Sequence, residues 1–144
     1  MEAIASVVPL RIEDLREGQT YSEKFEFSEK GLQAFINLSG DRAPAHVDDS
    51  HAKGMGYGGR IVHGLFVCMP YSRILGMFLP GGNTVIHQMQ FDALAPVYVG
   101  DTVSYQVKIV RISVGAKTVV LELSAVRQDG GMVNRGRVTC TFRK

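Results

Sequence analysis

An aspartate and a histidine lie close together in a short segment shaped by glycine and proline. Asp41 and His46 follow Gly40 and are separated by Arg-Ala-Pro-Ala. Because such a segment can fold back, we expect both side chains to reach one ligand. A carboxylate and an imidazole together supply an acid and a base that exchange protons near neutral pH. The alternative is that Asp41 only caps a turn and His46 packs at the surface.

The second feature that could do chemistry is a glycine at the start of an apolar segment. The sequence Gly-Gly-Arg-Ile-Val-His-Gly covers residues 58–64 and runs directly into that segment. If a helix begins there, the N–H of Gly64 has no partner within the helix, and the helix dipole favours negative charge beside it. This arrangement predicts an oxyanion hole at Gly64. A flexible entry to a buried helix explains the glycine equally well, and His63 is interpreted first as a packing residue.

Two helices are predicted to position these residues. Ser28 is a suitable N-cap, and the apolar spacing after it predicts a helix that ends at Ser39-Gly40. Residues 39–62 are expected to form an irregular loop with a functional role. Residues 64–78 are apolar nearly all round, which predicts a helix buried on most sides and kinked at Pro70.

The remaining pattern has a period of two and predicts strands. Residues 19–27 form the first candidate strand, and most of the chain after Gly82 forms an antiparallel meander of about four strands. Asp129-Gly130-Gly131 is a strong hairpin signal. One buried helix and a curved antiparallel sheet that wraps it give an α+β fold. We expect residues 1–144 to form one domain, because no linker or repeat interrupts them.

Composition excludes several classes of protein. The chain has 144 residues, with 16 basic and 14 acidic residues and a net charge of +2, which is far below the basic excess of a nucleic-acid-binding protein. We expect no membrane span and no signal peptide, and therefore a cytoplasmic protein. Cys68 and Cys140 lie in apolar runs and are expected to be buried, reduced thiols. No metal motif, nucleophile elbow or phosphate loop is present, so we expect neither a metal nor a cofactor.

The segments together resemble the MaoC-like dehydratases, and specifically the (R)-specific enoyl-CoA hydratases of the hot-dog fold. Four stretches carry the resemblance, in the order of the family: residues 35–41, Pro44 with His46, residues 60–64, and residues 91–103. The resemblance covers residues 20–143. It implies a long central helix wrapped by the sheet, a homodimer or dimer of dimers joined through sheet edges, and acyl thioesters of CoA or an acyl-carrier protein as substrates.

The resemblance also assigns roles to individual residues. Asp41 and His46 match the catalytic pair that activates water and relays a proton, and Gly64 matches the glycine whose N–H polarises the thioester carbonyl. Ser72 corresponds to a serine on the central helix. Ser72, Arg60 and His63 are predicted to contact the substrate.

The loop departs from the family pattern at two positions. The family loop reads Gly-Asp-x-Asn-Pro-aliphatic-His, whereas this chain has Ala43 and Ala45 at the asparagine and aliphatic positions. The predicted activity is (R)-specific hydration of 2-enoyl thioesters or dehydration of 3-hydroxyacyl thioesters. Two alternatives remain, a hot-dog thioesterase and a non-catalytic hot-dog subunit of a hetero-oligomer.

Overall fold

The alternating segments of the sequence form a curved five-stranded antiparallel sheet, with strand order β1-β3-β4-β5-β2. The computed structural model describes residues 10–143. The prediction of one domain over residues 1–144 extends to residues 1–9 and 144, which lie outside the described residues. The strands are β1 (Thr20–Glu26), β2 (Thr84–Ala93), β3 (Thr102–Ser113), β4 (Thr118–Arg127) and β5 (Met132–Phe142). The helices are a 3-10 turn (Ile12–Asp14), α1 (Glu29–Ser39), α2 (Pro44–Val47), α3 (Asp49–Gly54) and α4 (Gly64–Met77).

The core lies between α4 and the inward face of the sheet. The side chains of Val103, Tyr105, Val107 and Ile109 alternate along β3 and are fully buried, because successive residues of a strand point to opposite faces. The rings of Tyr71 on α4 and Tyr105 lie 5.1 Å apart at 87°. The Tyr105 hydroxyl donates a hydrogen bond to the Val67 carbonyl at 2.6 Å. These contacts fix α4 against the middle of the sheet.

The helix α4 continues through Pro70. Proline has no N–H, so the carbonyl one turn earlier lacks its usual helical donor. Burial supports the helix despite this loss, because seven of its side chains are buried: Phe66, Val67, Cys68, Pro70, Tyr71, Ile74 and Leu75. Among residues 10–143, no helix is both long and apolar enough to cross a membrane.

Three irregularities bend the sheet. The register shifts between Ile86 and Gln88, between Ile109 and Arg111 and between Ala125 and Val126. An extra residue in one strand bends it and increases the local twist. His87 is the residue at the first shift, and its side chain is exposed.

The prediction of a four-strand meander is wrong in one respect. Strands β3, β4 and β5 follow one another as a meander, and the Asp129-Gly130-Gly131 turn joins the last two. Strand β2 pairs with β5 instead of β3. The connection from β2 to β3 leaves the sheet, because Val97 accepts a hydrogen bond from the Val62 N–H at 2.8 Å.

The prediction of an irregular segment over residues 39–62 is also wrong in part, since α2 and α3 occupy its middle. Pro44 begins α2, a position where its fixed φ suits a helix and its missing N–H is not needed. Asp48 caps α3 by accepting a hydrogen bond from the His51 N–H at 3.0 Å. Both signals are present in the sequence, but each helix is too short to show a hydrophobic period.

Candidate active site

Asp41 lies immediately after the end of α1. Gly40 ends that helix with a φ of 74°, a left-handed conformation that glycine adopts without steric cost. Oδ1 of Asp41 accepts a hydrogen bond from the Ala43 N–H at 3.0 Å, so the aspartate does cap the turn. Its side chain remains 48% exposed, and Oδ2 lies 3.9 Å from His63 Nε2. One carboxylate oxygen therefore shapes the loop while the other faces a histidine.

His46 lies on α2 and is half-buried. Its Nδ1 lies 2.7 Å from the Ile61 carbonyl oxygen. Because a carbonyl oxygen only accepts, Nδ1 must carry the proton of this hydrogen bond. The neutral ring then has its lone pair on Nε2, which is the nitrogen available to take a proton from a ligand or water.

His63 lies directly before α4 and is packed behind His46. The two imidazole rings are stacked with centroids 3.7 Å apart, and the His63 side chain is only 3% exposed. Its Nε2 donates a hydrogen bond to the Asp41 carbonyl oxygen at 3.0 Å. Its Nδ1 is buried without a hydrogen-bond partner among the described residues. His63 thus contacts both members of the predicted pair.

The structure brings Asp41, His46 and His63 into one cluster, in which one ligand-type atom from each residue lies within 4.8 Å of the others. Such a donor set is chemically able to hold a metal ion. However, the His63 nitrogen closest to the Asp41 carboxylate already donates to a carbonyl. Ligation through that nitrogen would break the hydrogen bond to Asp41. Among the described residues, Asp41 Oδ2, His46 Nε2 and the buried His63 Nδ1 make no hydrogen bond. The carboxylate oxygen and His46 Nε2 suit proton transfer to and from water.

A cavity of about 340 Å³ opens beside this cluster. Its size is at the small end of the range of ligand-binding pockets. His46 and Gly64 both line it, and most of its other side chains are apolar. The lining residues are His46, Tyr57, Ile61, Val62, Gly64, Val67, Phe91, Ala93, Leu94, Ala95, Pro96, Val97, Val133 and Asn134.

Gly64 is the first residue of α4, and its N–H makes no hydrogen bond among the described residues. Nothing lies within 4 Å of the position that a Cβ would occupy. Gly64 is exposed and lines the cavity, so a ligand in the cavity can reach this residue. The geometry is that of an N–H donor at a helix N-terminus, where negative charge is favoured.

The two other residues predicted to contact substrate lie apart from the cluster. Arg60 forms an ion pair with Glu29 at 2.8 Å and a longer one with Asp49 at 3.7 Å. The hydrogen bond to Glu29 raises the pKa of Arg60 above its ordinary value. Ser72 is exposed on α4, and neither it nor Arg60 lines the cavity. Their predicted substrate contacts remain predictions.

Sequence reasoning missed two polar residues of the cavity, Tyr57 and Asn134. Asn134 is 2% exposed and accepts a hydrogen bond from the Tyr71 hydroxyl at 2.8 Å. A signal was available, because the inward positions Val138, Cys140 and Phe142 extend back by twos to Asn134. A polar residue at an inward strand position is informative, since buried polar groups need partners.

Comparison with known proteins links this chain to a protein family. Residues 14–129 match the family model of the MaoC like domain. A 3-hydroxybutyryl-CoA dehydratase of Methylorubrum extorquens is 35% identical over 72% of this chain and 66% of its own length. An (R)-specific enoyl-CoA hydratase of Rhodospirillum rubrum is 36% identical over 67% of each chain. The chain thus spans about two thirds of the length of these two relatives.

Solved structures of other proteins share this fold. The structure of an (R)-hydratase from A. caviae involved in PHA biosynthesis superimposes with a TM-score of 0.85 at 26% identity, and the match covers 91% of this chain and 99% of that one. The predictions of an α+β hot-dog fold and of an enzyme family are both confirmed. Since the family model covers most of the chain and the fold agrees with it, this protein belongs to the MaoC-like dehydratase family.

Proposed function

We propose that this protein adds water reversibly to 2-enoyl thioesters, giving 3-hydroxyacyl thioesters, with Asp41 and His46 as the proton-transferring pair. The observation that carries the proposal is the shared cavity. His46 and Gly64 line it together, so a base and an oxyanion donor face one ligand. The relatives named above act on thioesters of this chemical class by their names.

The reaction needs three things from the protein. Water must lose a proton as its oxygen bonds to the β-carbon, a proton must reach the α-carbon, and the negative charge that develops on the thioester oxygen must be stabilised. His46 Nε2 and the free Asp41 oxygen hold the water and exchange protons with it. The Gly64 N–H donates to the thioester oxygen, an interaction that strengthens as charge develops there. The pair gives one proton and takes one, so it ends each cycle unchanged.

The proposed substrate is an acyl thioester of CoA or of an acyl-carrier protein.

The proposal also includes a dimer that forms through the exposed edge strand β2. Val85 and Ile86 on that strand are 43% and 42% exposed, and an unpaired strand edge is a template for pairing with another chain. Light scattering of the pure protein measures this directly, and a monomer would contradict it.

The proposed activity is tested by incubating the protein with trans-2-enoyl-CoA esters of increasing chain length and weighing the products by mass spectrometry. A gain of one water supports the proposal. Release of free CoA indicates a thioesterase instead. If no CoA ester changes, the same acyl chains are tested on an acyl-carrier protein, and no change with either carrier indicates a non-catalytic subunit.

The roles of the pair are tested by substitution. Asp41→Asn and His46→Ala should each lower kcat by about a hundredfold or more, the range of general acid–base catalysis, without unfolding the protein. His51→Ala is the matched control, because His51 is exposed on α3 and does not line the cavity. Near wild-type activity of a folded Asp41 or His46 variant would remove that residue from the mechanism.

A further inference from the structure

The side chain of His63 contacts both members of the proposed proton-transferring pair. Its ring is stacked on that of His46, with centroids 3.7 Å apart. Its Nε2 donates a hydrogen bond to the Asp41 backbone carbonyl at 3.0 Å, and the same nitrogen lies 3.9 Å from Asp41 Oδ2. One side chain therefore restrains both the plane of the imidazole on α2 and the loop that carries the carboxylate.

Each member of the pair also has a hydrogen bond of its own. The Nδ1 of His46 donates to the Ile61 carbonyl at 2.7 Å, and Oδ1 of Asp41 accepts from the Ala43 N–H at 3.0 Å. Neither hydrogen bond sets the distance from Asp41 Oδ2 to His46 Nε2, because each holds only one of the two side chains. The contacts of His63 act on both.

These contacts leave one atom of the buried histidine without a partner. The His63 side chain is 3% exposed, and the Phe35 ring lies beside it with centroids 4.9 Å apart. A neutral imidazole has one donor and one acceptor nitrogen, and the acceptor, Nδ1, is buried without a hydrogen-bond partner among residues 10–143. Such an atom lowers stability, whereas an apolar side chain of similar size would not. Stability alone therefore does not explain a histidine at this position.

We propose that His63 is a positioning residue, which holds Asp41 Oδ2 and His46 Nε2 at the spacing at which both reach one water molecule, although an apolar side chain would give a more stable protein. The inference rests on the proposed function and adds a residue to the same site. A displacement of about 1 Å between such groups costs up to roughly a hundredfold in rate. Binding of the thioester is unaffected, since it depends on the cavity and the Gly64 N–H.

The test is the variant His63→Leu, which removes both contacts together with the unpaired nitrogen. The variant should unfold at the same temperature as wild-type protein or at a higher one. On the enoyl-CoA ester that wild-type protein hydrates fastest, kcat should fall roughly tenfold to a hundredfold. The KM should stay within about threefold, because the lost interactions act in the transition state and not in substrate binding. A lower unfolding temperature, a wild-type kcat, or a loss confined to KM would overturn the inference.

Two further variants separate positioning from packing. His63→Gln retains an N–H that can reach the Asp41 carbonyl, so it should recover part of the kcat lost in His63→Leu; no recovery would overturn the role of this hydrogen bond. Phe66→Leu is the matched control, because Phe66 is also 3% exposed, packs on Phe35 with ring centroids 5.0 Å apart and does not line the cavity. This control should unfold at a lower temperature and keep its kcat. An equal loss of kcat in the control would overturn the inference, since general loosening would then explain both losses.

Failure of this inference can be told from failure of the proposed function. If wild-type protein adds water to no enoyl thioester of either carrier, the proposed function fails and the role of His63 fails with it. If wild-type protein is active and His63→Leu is equally active, only the role of His63 fails.

Discussion

Replacing Gly64 with alanine separates the chemical role of this residue from its structural one. A Cβ at this position would meet no atom within 4 Å, and no unusual φ constrains the residue. Alanine is a better helix former than glycine by about 1 kcal/mol. The folded protein should therefore tolerate Gly64→Ala without loss of stability, and the variant should be equally stable or slightly more stable.

The methyl group of alanine would lie next to the N–H that we propose binds the thioester oxygen. Gly64 lines the cavity, and its N–H makes no hydrogen bond among the described residues. A carbonyl oxygen bonded to this N–H would approach to about 2.9 Å, and the new methyl would lie beside it. Alanine keeps the N–H, so the decrease depends on how far its methyl displaces the carbonyl oxygen from that donor. Complete loss of one oxyanion-hole donor costs about 3–4 kcal/mol, or roughly a hundredfold to a thousandfold in kcat, and we expect a decrease of up to that size.

The assay pairs thermal unfolding with initial rates of enoyl-CoA hydration. Gly76→Ala is the matched control, because Gly76 lies near the other end of α4, also has nothing within 4 Å of its Cβ position and does not line the cavity. It should gain stability and keep its activity. Wild-type kcat in Gly64→Ala would refute the oxyanion assignment. A large loss of stability would refute the claim that the space at Gly64 is reserved for a ligand.

Three further predictions follow from the contacts of individual side chains. His63→Gln, which keeps an N–H in reach of the Asp41 carbonyl, should retain a higher kcat than His63→Phe, which keeps the ring but lacks the donor; a higher kcat in His63→Phe would show that the stacked ring matters more than the donor. Ala43→Asn should raise the hydration rate on short enoyl thioesters, since it places the amide of the family loop beside the pair and provides a better N-cap for α2; an unchanged rate would show that residue 43 does not limit hydration. Burial raises the pKa of Cys68 to about 11 and that of Cys140 to about 12, so both thiols should resist a thiol reagent at pH 8 until the protein is denatured. Because the thiols ionise more easily in the unfolded chain, the free energy of unfolding should decrease as pH rises above about 9, and rapid labelling of native protein would contradict their burial.

The strands and the two longer helices could be predicted because their apolar spacing is regular over many residues. The pairing of β2 could not, because periodicity identifies a strand without identifying its neighbour. What decides the neighbour is the connection over residues 94–101, where Val97 accepts a hydrogen bond from the Val62 N–H and draws the chain off the sheet. A contact between two backbone groups leaves no trace in side-chain patterns.

The same limit applies to the candidate site. The resemblance to the family predicted that Asp41, His46 and Gly64 act together, and the structure places His46 and Gly64 on one cavity with Asp41 beside His46. His63 was predicted to pack at the start of α4 and to contact the substrate; it is buried behind His46 and does not line the cavity, and its contact with substrate stays a prediction. Arg60 was predicted to contact the ligand because it is basic, whereas in the structure it pairs with Glu29 and Asp49. The positive charge of an arginine does not predict where its side chain points, because an arginine close to carboxylates pairs with them.

Backbone carbonyls determine which nitrogens of the cluster are available for chemistry. The Ile61 carbonyl holds the proton of His46 on Nδ1, while the Ile61 N–H donates to the Ala45 carbonyl at 3.0 Å. These two hydrogen bonds join α2 to the segment that leads into α4, so the proposed base on α2 and the Gly64 N–H at the start of α4 are held as one unit. A preorganised site requires such coupling, because small displacements between a base and an oxyanion donor are costly for catalysis. Backbone atoms provide the coupling, so side-chain substitutions at residue 61 that preserve the local backbone should leave the position of His46 Nε2 unchanged.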